Sequence, residues 1–181
     1  MTLLLSVFLA LAPPAAPELT RSEITTLSER KPIVRTSSDG LTVLAAIDVV
    51  ASPTEVIAAV LDVQARKDEV GSIEKVTIYA QSPTQIKVRY DISLMGFDAV
   101  MNLIYDIDSA NHFVKYSTDT TLENDIQGSS GSYHAVALPS GATRLYYRVN
   151  VPDDGAAWLK KALLEKNLPE QIQGIQKRAE Q

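Results

Sequence analysis

From Gln85 to Met95 the chain alternates without a break: Ile86, Val88, Tyr90, Ile92 and Leu94 fall on one parity, Lys87, Arg89, Asp91 and Ser93 on the other. Successive side chains of an extended strand point to opposite faces, so this stretch predicts a strand with one dry face and one wet face. Such a strand needs neighbours that continue its dry face, and the chain supplies them. Ile73 to Ala80 precedes it across the Ser82-Pro83-Thr84 turn. Gly96-Phe97-Asp98 turns the chain into Ala99 to Ile107, where Met101, Leu103, Tyr105 and Ile107 oppose Asn102, Asp106 and Asp108. Phe113 to Leu122, Ser132 to Leu138 and Thr143 to Val151 follow, separated by Ser109-Ala110-Asn111, a Gly/Ser loop from Gly128 to Gly131, and Pro139-Ser140-Gly141. In the last strand Leu145, Tyr147, Val149 and Val151 share a face. Strands joined by short turns predict an antiparallel meander.

A sheet of this size twists and cannot leave its apolar face in water. Ahead of the meander, Leu41 to Ala51 is β-like and runs into Ser52-Pro53-Thr54-Glu55. There Ser52 suits the N-cap, Pro53 the first helical position, and Glu55 completes a capping box. Val56, Ile57, Val60 and Leu61 give that helix an apolar face, and the more polar Asp62 to Val70 predicts a second short helix or a bent continuation before Gly71. After the meander the period changes near Gly155. Ala156, Trp158, Leu159, Ala162 and Leu163 form a helical stripe opposed by Lys160, Lys161 and Lys166, and Leu168, Ile172, Ile175 and Ala179 continue it. Pro169 predicts a kink or a restart. The reading is an α+β fold: a curved antiparallel β-sheet wrapped around a long C-terminal α-helix, with two short helices after the first strand. A sheet gripping one helix tends to leave a cavity where the two diverge.

The N-terminus reads differently. Leu3 to Ala12 is an uncharged apolar run followed by Pro-Pro-Ala-Ala-Pro. It matches the length of an export signal's apolar region and falls short of the roughly 20 residues that span a bilayer. No Lys or Arg precedes it, and cleavage after Ala12 or Ala16 would leave Pro next, so the signal is atypical. The domain reading is therefore a signal peptide over 1–16, an N-terminal arm over 17–40 and the sheet-and-helix domain over 41–181. Within the arm, Glu18 to Lys31 is a short surface helix or an irregular segment, and Pro32 to Arg35 a short edge strand. The expected location is outside the cytoplasm, periplasmic or secreted, with no stable membrane insertion after signal removal.

Composition narrows function mainly by exclusion. The chain has no cysteine, which removes disulfides, thiol catalysis and thiolate metal sites. A formal net charge of -5 with no run of Lys or Arg argues against nucleic acid as a partner. His112 lies in a turn and His134 in a strand beside Ser132 and Val136, without metal-ligand spacing. Gly128-Ser129-Ser130-Gly131 is neither a nucleophile elbow nor a phosphate loop. Asp91 and Asp106 fall on the wet parity. No catalytic residue, metal or cofactor is expected.

The order of elements resembles the START-like helix-grip superfamily, which includes lipid-transfer domains, the birch-pollen-allergen type and bacterial polyketide cyclase and coenzyme-Q-binding-like proteins. The resemblance is carried by Ile47-Asp48-Val49-Val50-Ala51-Ser52-Pro53-Thr54-Glu55-Val56 with Leu61-Asp62, by Gly131-Ser132-Tyr133, by Gly141-Ala142-Thr143-Arg144-Leu145-Tyr146-Tyr147-Arg148-Val149, and by Leu168-Pro169 with Arg178-Ala179-Glu180. It covers roughly Leu41 to Gln181. The chain departs from the family after Leu61-Asp62, where an aromatic and Pro-rich stretch is replaced by Val63-Gln64-Ala65-Arg66-Lys67-Asp68.

The resemblance implies a small hydrophobic ligand, such as a lipid, quinone, sterol or polyketide, held between sheet and helix. A cyclase or isomerase using the same cavity, or a protein-interaction module, are the alternatives. The expected wall follows the dry parity. It takes Val88, Tyr90 and Ile92 from one strand and Met101, Leu103 and Tyr105 from the next. Tyr116, Tyr133, Tyr147 and Val149 continue it, and Trp158, Leu159 and Leu163 come from the helix. Inward tyrosines suit a mainly apolar pocket, since each adds a large apolar surface and one hydroxyl that needs a partner.

Overall fold

A computed structural model describes residues 13–38, 40–94, 96–150 and 167–181. Its eight strands are β1 (Ile33–Thr36), β2 (Thr42–Val49), β3 (Ile73–Ser82), β4 (Gln85–Leu94), β5 (Phe97–Asp108), β6 (Phe113–Thr118), β7 (Ser130–Ala137) and β8 (Thr143–Asn150). They make one antiparallel sheet in the order β1-β2-β8-β7-β6-β5-β4-β3. The meander from β3 to β8 keeps chain order. β2 lies beside β8, with Val43 opposite Val149, Ala45 opposite Tyr147 and Ile47 opposite Leu145. The dry parity of every long strand therefore collects on one concave face, where it forms the main core.

The helices are α1 (Arg21–Ser28), α2 (Pro53–Leu61), α3 (Arg66–Glu69), which follows a single 3-10 turn at Val63–Ala65, and α4 (Leu168–Ala179). α2 starts as its residues dictate: Glu55 N–H donates to Ser52 Oγ, and Ser52 N–H donates to the Glu55 carboxylate at 2.7 Å. The same reciprocal cap, Thr20 with Glu23, heads α1 and settles that segment as a helix. α4 opens at Leu168 with Pro169 in its first turn, where a missing N–H is tolerated. It lies against β2 and α2, and its Ile172 and Ile175 are fully buried. The expected start of this helix near Gly155, with Trp158, Leu159 and Leu163, lies outside the described residues, as does the apolar run Leu3 to Ala12.

Two expectations are corrected. The outer face is not uniformly wet: at β2 and β8 it carries a second core, in which Leu27 of α1 packs with Ile33, Leu44, Ala46 and Tyr146. β2 is apolar on both parities, and the arm supplies its second cover. The strand expected over Phe113 to Leu122 ends at Thr118. Asp119 is almost completely buried and accepts from the Thr121 N–H at 3.0 Å, the Tyr79 hydroxyl at 3.0 Å and Lys87 Nζ at 3.2 Å. Local side-chain bonds of this kind compete with the strand ladder and turn the chain away.

Candidate functional site

α4 crosses the concave face without filling it. The gap is a mainly apolar cavity of about 170 Å³ bounded by β4 to β8, the link from α3 to β3, and the first turns of α4. That is smaller than the roughly 300–1,000 Å³ typical of sites for drug-sized ligands. A void of about 150 Å³ nevertheless admits benzene, so a compact ligand fits.

Strand register brings five tyrosines together here. Tyr105 sits opposite Tyr116, and Tyr133 opposite Tyr147. The Tyr133 and Tyr147 rings stack with centroids 4.2 Å apart, and the Tyr105 and Tyr116 centroids are 5.6 Å apart. Tyr116 faces Gly131 across the β6–β7 ladder, and a Cβ on Gly131 would overlap the Tyr116 phenol. Glycine at 131 is thus what lets that ring lie over β7. The hydroxyls satisfy one another: Tyr90 with Tyr105 at 3.0 Å, Tyr116 with Tyr147 at 3.2 Å, and Gln171 Nε2 donating to Tyr133 at 2.7 Å. Burial raises Tyr90 to about 12 and pushes Tyr105, Tyr116, Tyr133 and Tyr147 upward as well. All five are neutral phenols near neutral pH.

A polar corner completes the wall. Asn167 Nδ2 donates to Ser72 Oγ at 3.3 Å. Arg66, only 2% exposed, donates to Glu69 Oε2 and to the Val60 carbonyl, each at 2.8 Å. The other Glu69 oxygen meets Arg178 of α4, whose guanidinium also donates to the Ala59 carbonyl at 2.7 Å. Burial lowers Arg178 to about 10, and the neighbouring Arg66 charge acts the same way. Gly174 makes room for this contact, because a Cβ there would overlap the Glu69 side chain.

Of the residues expected on the wall, Tyr90, Ile92, Met101, Leu103, Tyr105, Tyr116, Tyr133, Tyr147 and Val149 line the cavity. Val88 does not: it shares their face but is fully buried in the core. Parity gives the face of a strand, not the depth along it. Trp158, Leu159 and Leu163 lie outside the described residues. The sequence reading missed Arg66, Val70, Ser72 and Ile73 near α3, Ile126 and Ser129 before β7, and Asn167, Leu168 and Gln171 at α4. Arg66 and Glu69 at i, i+3 look in sequence like any exposed helical ion pair. Gln171 carried a usable signal, one turn on from Leu168 in the apolar stripe.

No family model matches the chain, and no curated protein matches it in sequence. Solved structures do. The Zhui aromatase/cyclase of a Streptomyces species superposes with a TM-score of 0.64 at 22% identity, over 77% of this chain and 93% of that one. A START superfamily protein from Mycobacterium smegmatis gives 0.60 at 20% identity, over 78% and 98%. A STAR-related lipid transfer protein from Xanthomonas axonopodis gives 0.61 at 12% identity, over 83% and 93%. Among the described residues, one antiparallel sheet, the short helices after β2 and the C-terminal helix across the concave face make a helix-grip fold, the fold of these START and aromatase/cyclase structures.

Proposed function

We propose that this protein binds or carries a small hydrophobic molecule in the cavity between the sheet and α4. The observation that carries the reading is a mainly apolar gap in the core whose tyrosine hydroxyls already bond one another or Gln171. Such a wall favours an apolar body by desolvation and asks few hydrogen bonds of it. The structural likeness to a protein described as a lipid-transfer protein supports the same reading. The likeness to an aromatase/cyclase raises catalysis as the other use of the cavity. Among the described wall residues the one charged group is Arg66, and a guanidinium group offers donors only and no general base. The raised phenols offer none near neutral pH, so binding is the better-supported use.

Native mass spectrometry after mild purification, together with titration of toluene followed by ligand-observed NMR, tests the reading. Expected are a co-purifying small molecule and saturable toluene binding that a bulky replacement at Gly131 weakens. Absence of both from folded protein would overturn it. We further propose export on the Leu3–Ala12 run, tested by N-terminal sequencing of the mature protein. Cleavage after Ala12 would keep the bond from Arg148 to the Ala15 carbonyl, and cleavage after Ala16 would remove it.

A further inference from the structure

The tyrosine hydroxyls are paired; Arg66 is not fully used. A guanidinium carries five N–H donors. Among the described residues Arg66 spends one on Glu69 and one on the Val60 carbonyl, and its buried Nε has no partner. Three donors are left over on a side chain that is almost wholly buried and forms part of the cavity wall. Charge points the same way. Arg66 and Arg178 both meet Glu69, so among the described residues two largely buried guanidiniums share one buried carboxylate. Asp62 lies 3.7 Å from Arg178 Nε but is half exposed, so it answers the outer guanidinium and not the inner one. A buried charge without full compensation is costly, and a counter-charge placed against it is correspondingly favoured.

We infer that the cavity takes a small apolar acid, with its carboxylate against Arg66 and its ring or short chain among the tyrosines, Ile92, Met101 and Leu103. This rests on the cavity being a ligand site, and it specifies the head group. A carboxylate matches the planar guanidinium and brings both acceptors and a negative charge. An alcohol brings an acceptor without charge. An amine brings charge of the wrong sign, and the cavity size limits the apolar part to about one ring or a short chain.

The test uses three ligands of equal chain length on the native protein, octanoate, octanol and octylammonium, followed by isothermal titration calorimetry at neutral pH. Octanoate should bind at least about tenfold tighter than octanol, with octylammonium weakest. In Arg66→Met the preference for the acid over octanol should fall below about twofold; Arg66→Lys, which keeps the charge but loses the fork, should retain part of it. Equal binding of octanoate and octanol to the native protein would overturn the head-group assignment and leave the cavity reading standing. So would an acid preference that survives Arg66→Met. Failure of all three ligands and of toluene would overturn both readings. The native comparison decides the matter even where the Met variant does not fold.

Discussion

Glu69 meets Arg178 only because position 174 has no side chain. In a helix interior Gly→Ala ordinarily gains close to 1 kcal/mol. At Gly174 the new methyl would displace a carboxylate held by two arginines, so Gly174→Ala should instead lose about 1–3 kcal/mol, read as a lower denaturant midpoint. The same exchange made on a Glu69→Ala background should become neutral or stabilising, which a double-mutant cycle resolves. Asp119 allows a second test. Hydrogen bonding from the Thr121 hydroxyl, with further bonds from the Thr121 N–H, Lys87 and Tyr79, holds its carboxyl down at about 2. A carboxylate with a depressed native pKa adds stability above its ordinary value near 4. That stability is lost as the pH falls from about 4 through about 2. Asp119→Asn should therefore cost about 1–3 kcal/mol at neutral pH, and its stability should fall less steeply than the native protein's across that acid range.

Among the elements, α1 and α2 show how local chemistry and remote packing divide the work. Both begin with a side-chain-to-backbone cap spanning three residues, and Ser52→Ala should cost about 1 kcal/mol in thermal or denaturant unfolding. What α1 does once formed is a matter of packing. Leu27 is completely buried against the outer face of β2 and β8, on the side of the sheet away from the cavity. Leu27→Ala should thus lose about 2–5 kcal/mol of stability and leave toluene affinity unchanged in protein that remains folded. A matching loss of toluene binding would mean that the arm and the cavity are coupled through the sheet. The capping box of α2 was legible at Ser52 and Glu55, because both partners lie within one turn. The cover over Leu44 and Ala46 was not, because Leu27 is distant in sequence and its partner face is chosen only when the sheet assembles.

For the molecule as a whole, five buried tyrosines cluster on the sheet, one of them bonded to Gln171 of α4, and alkaline pH probes that cluster. Burial raises Tyr90 to about 12, and the other four move in the same direction. Phenols with raised native pKa values add stability below their ordinary value near 10. That contribution is lost as the pH rises through the native values. Tyrosinate absorbance from these residues should appear together with loss of sheet circular dichroism; its appearance near pH 10 in intact protein would contradict burial of the cluster. The face on which Tyr90, Tyr105, Tyr116, Tyr133 and Tyr147 meet could be read from parity alone. A strand repeats every two residues, and a one-residue slip would turn the whole dry set to water. The start of α2 and the meander of strands were equally local, set by turns and caps a few residues long. Other features belonged to the tertiary structure: Val88 lies in the core and off the cavity wall, β6 stops at Asp119, and Arg66 lies inside the molecule. A lone Arg-x-x-Glu on a polar turn carries no mark of burial. Arg66 is buried because Val60 offers it a carbonyl and Glu69 a carboxylate, while Gly174 and Arg178 of α4 close over that pair from more than a hundred residues away. Local periodicity can say which way a side chain points; only the packing of distant segments decides whether a charge there meets water or the interior.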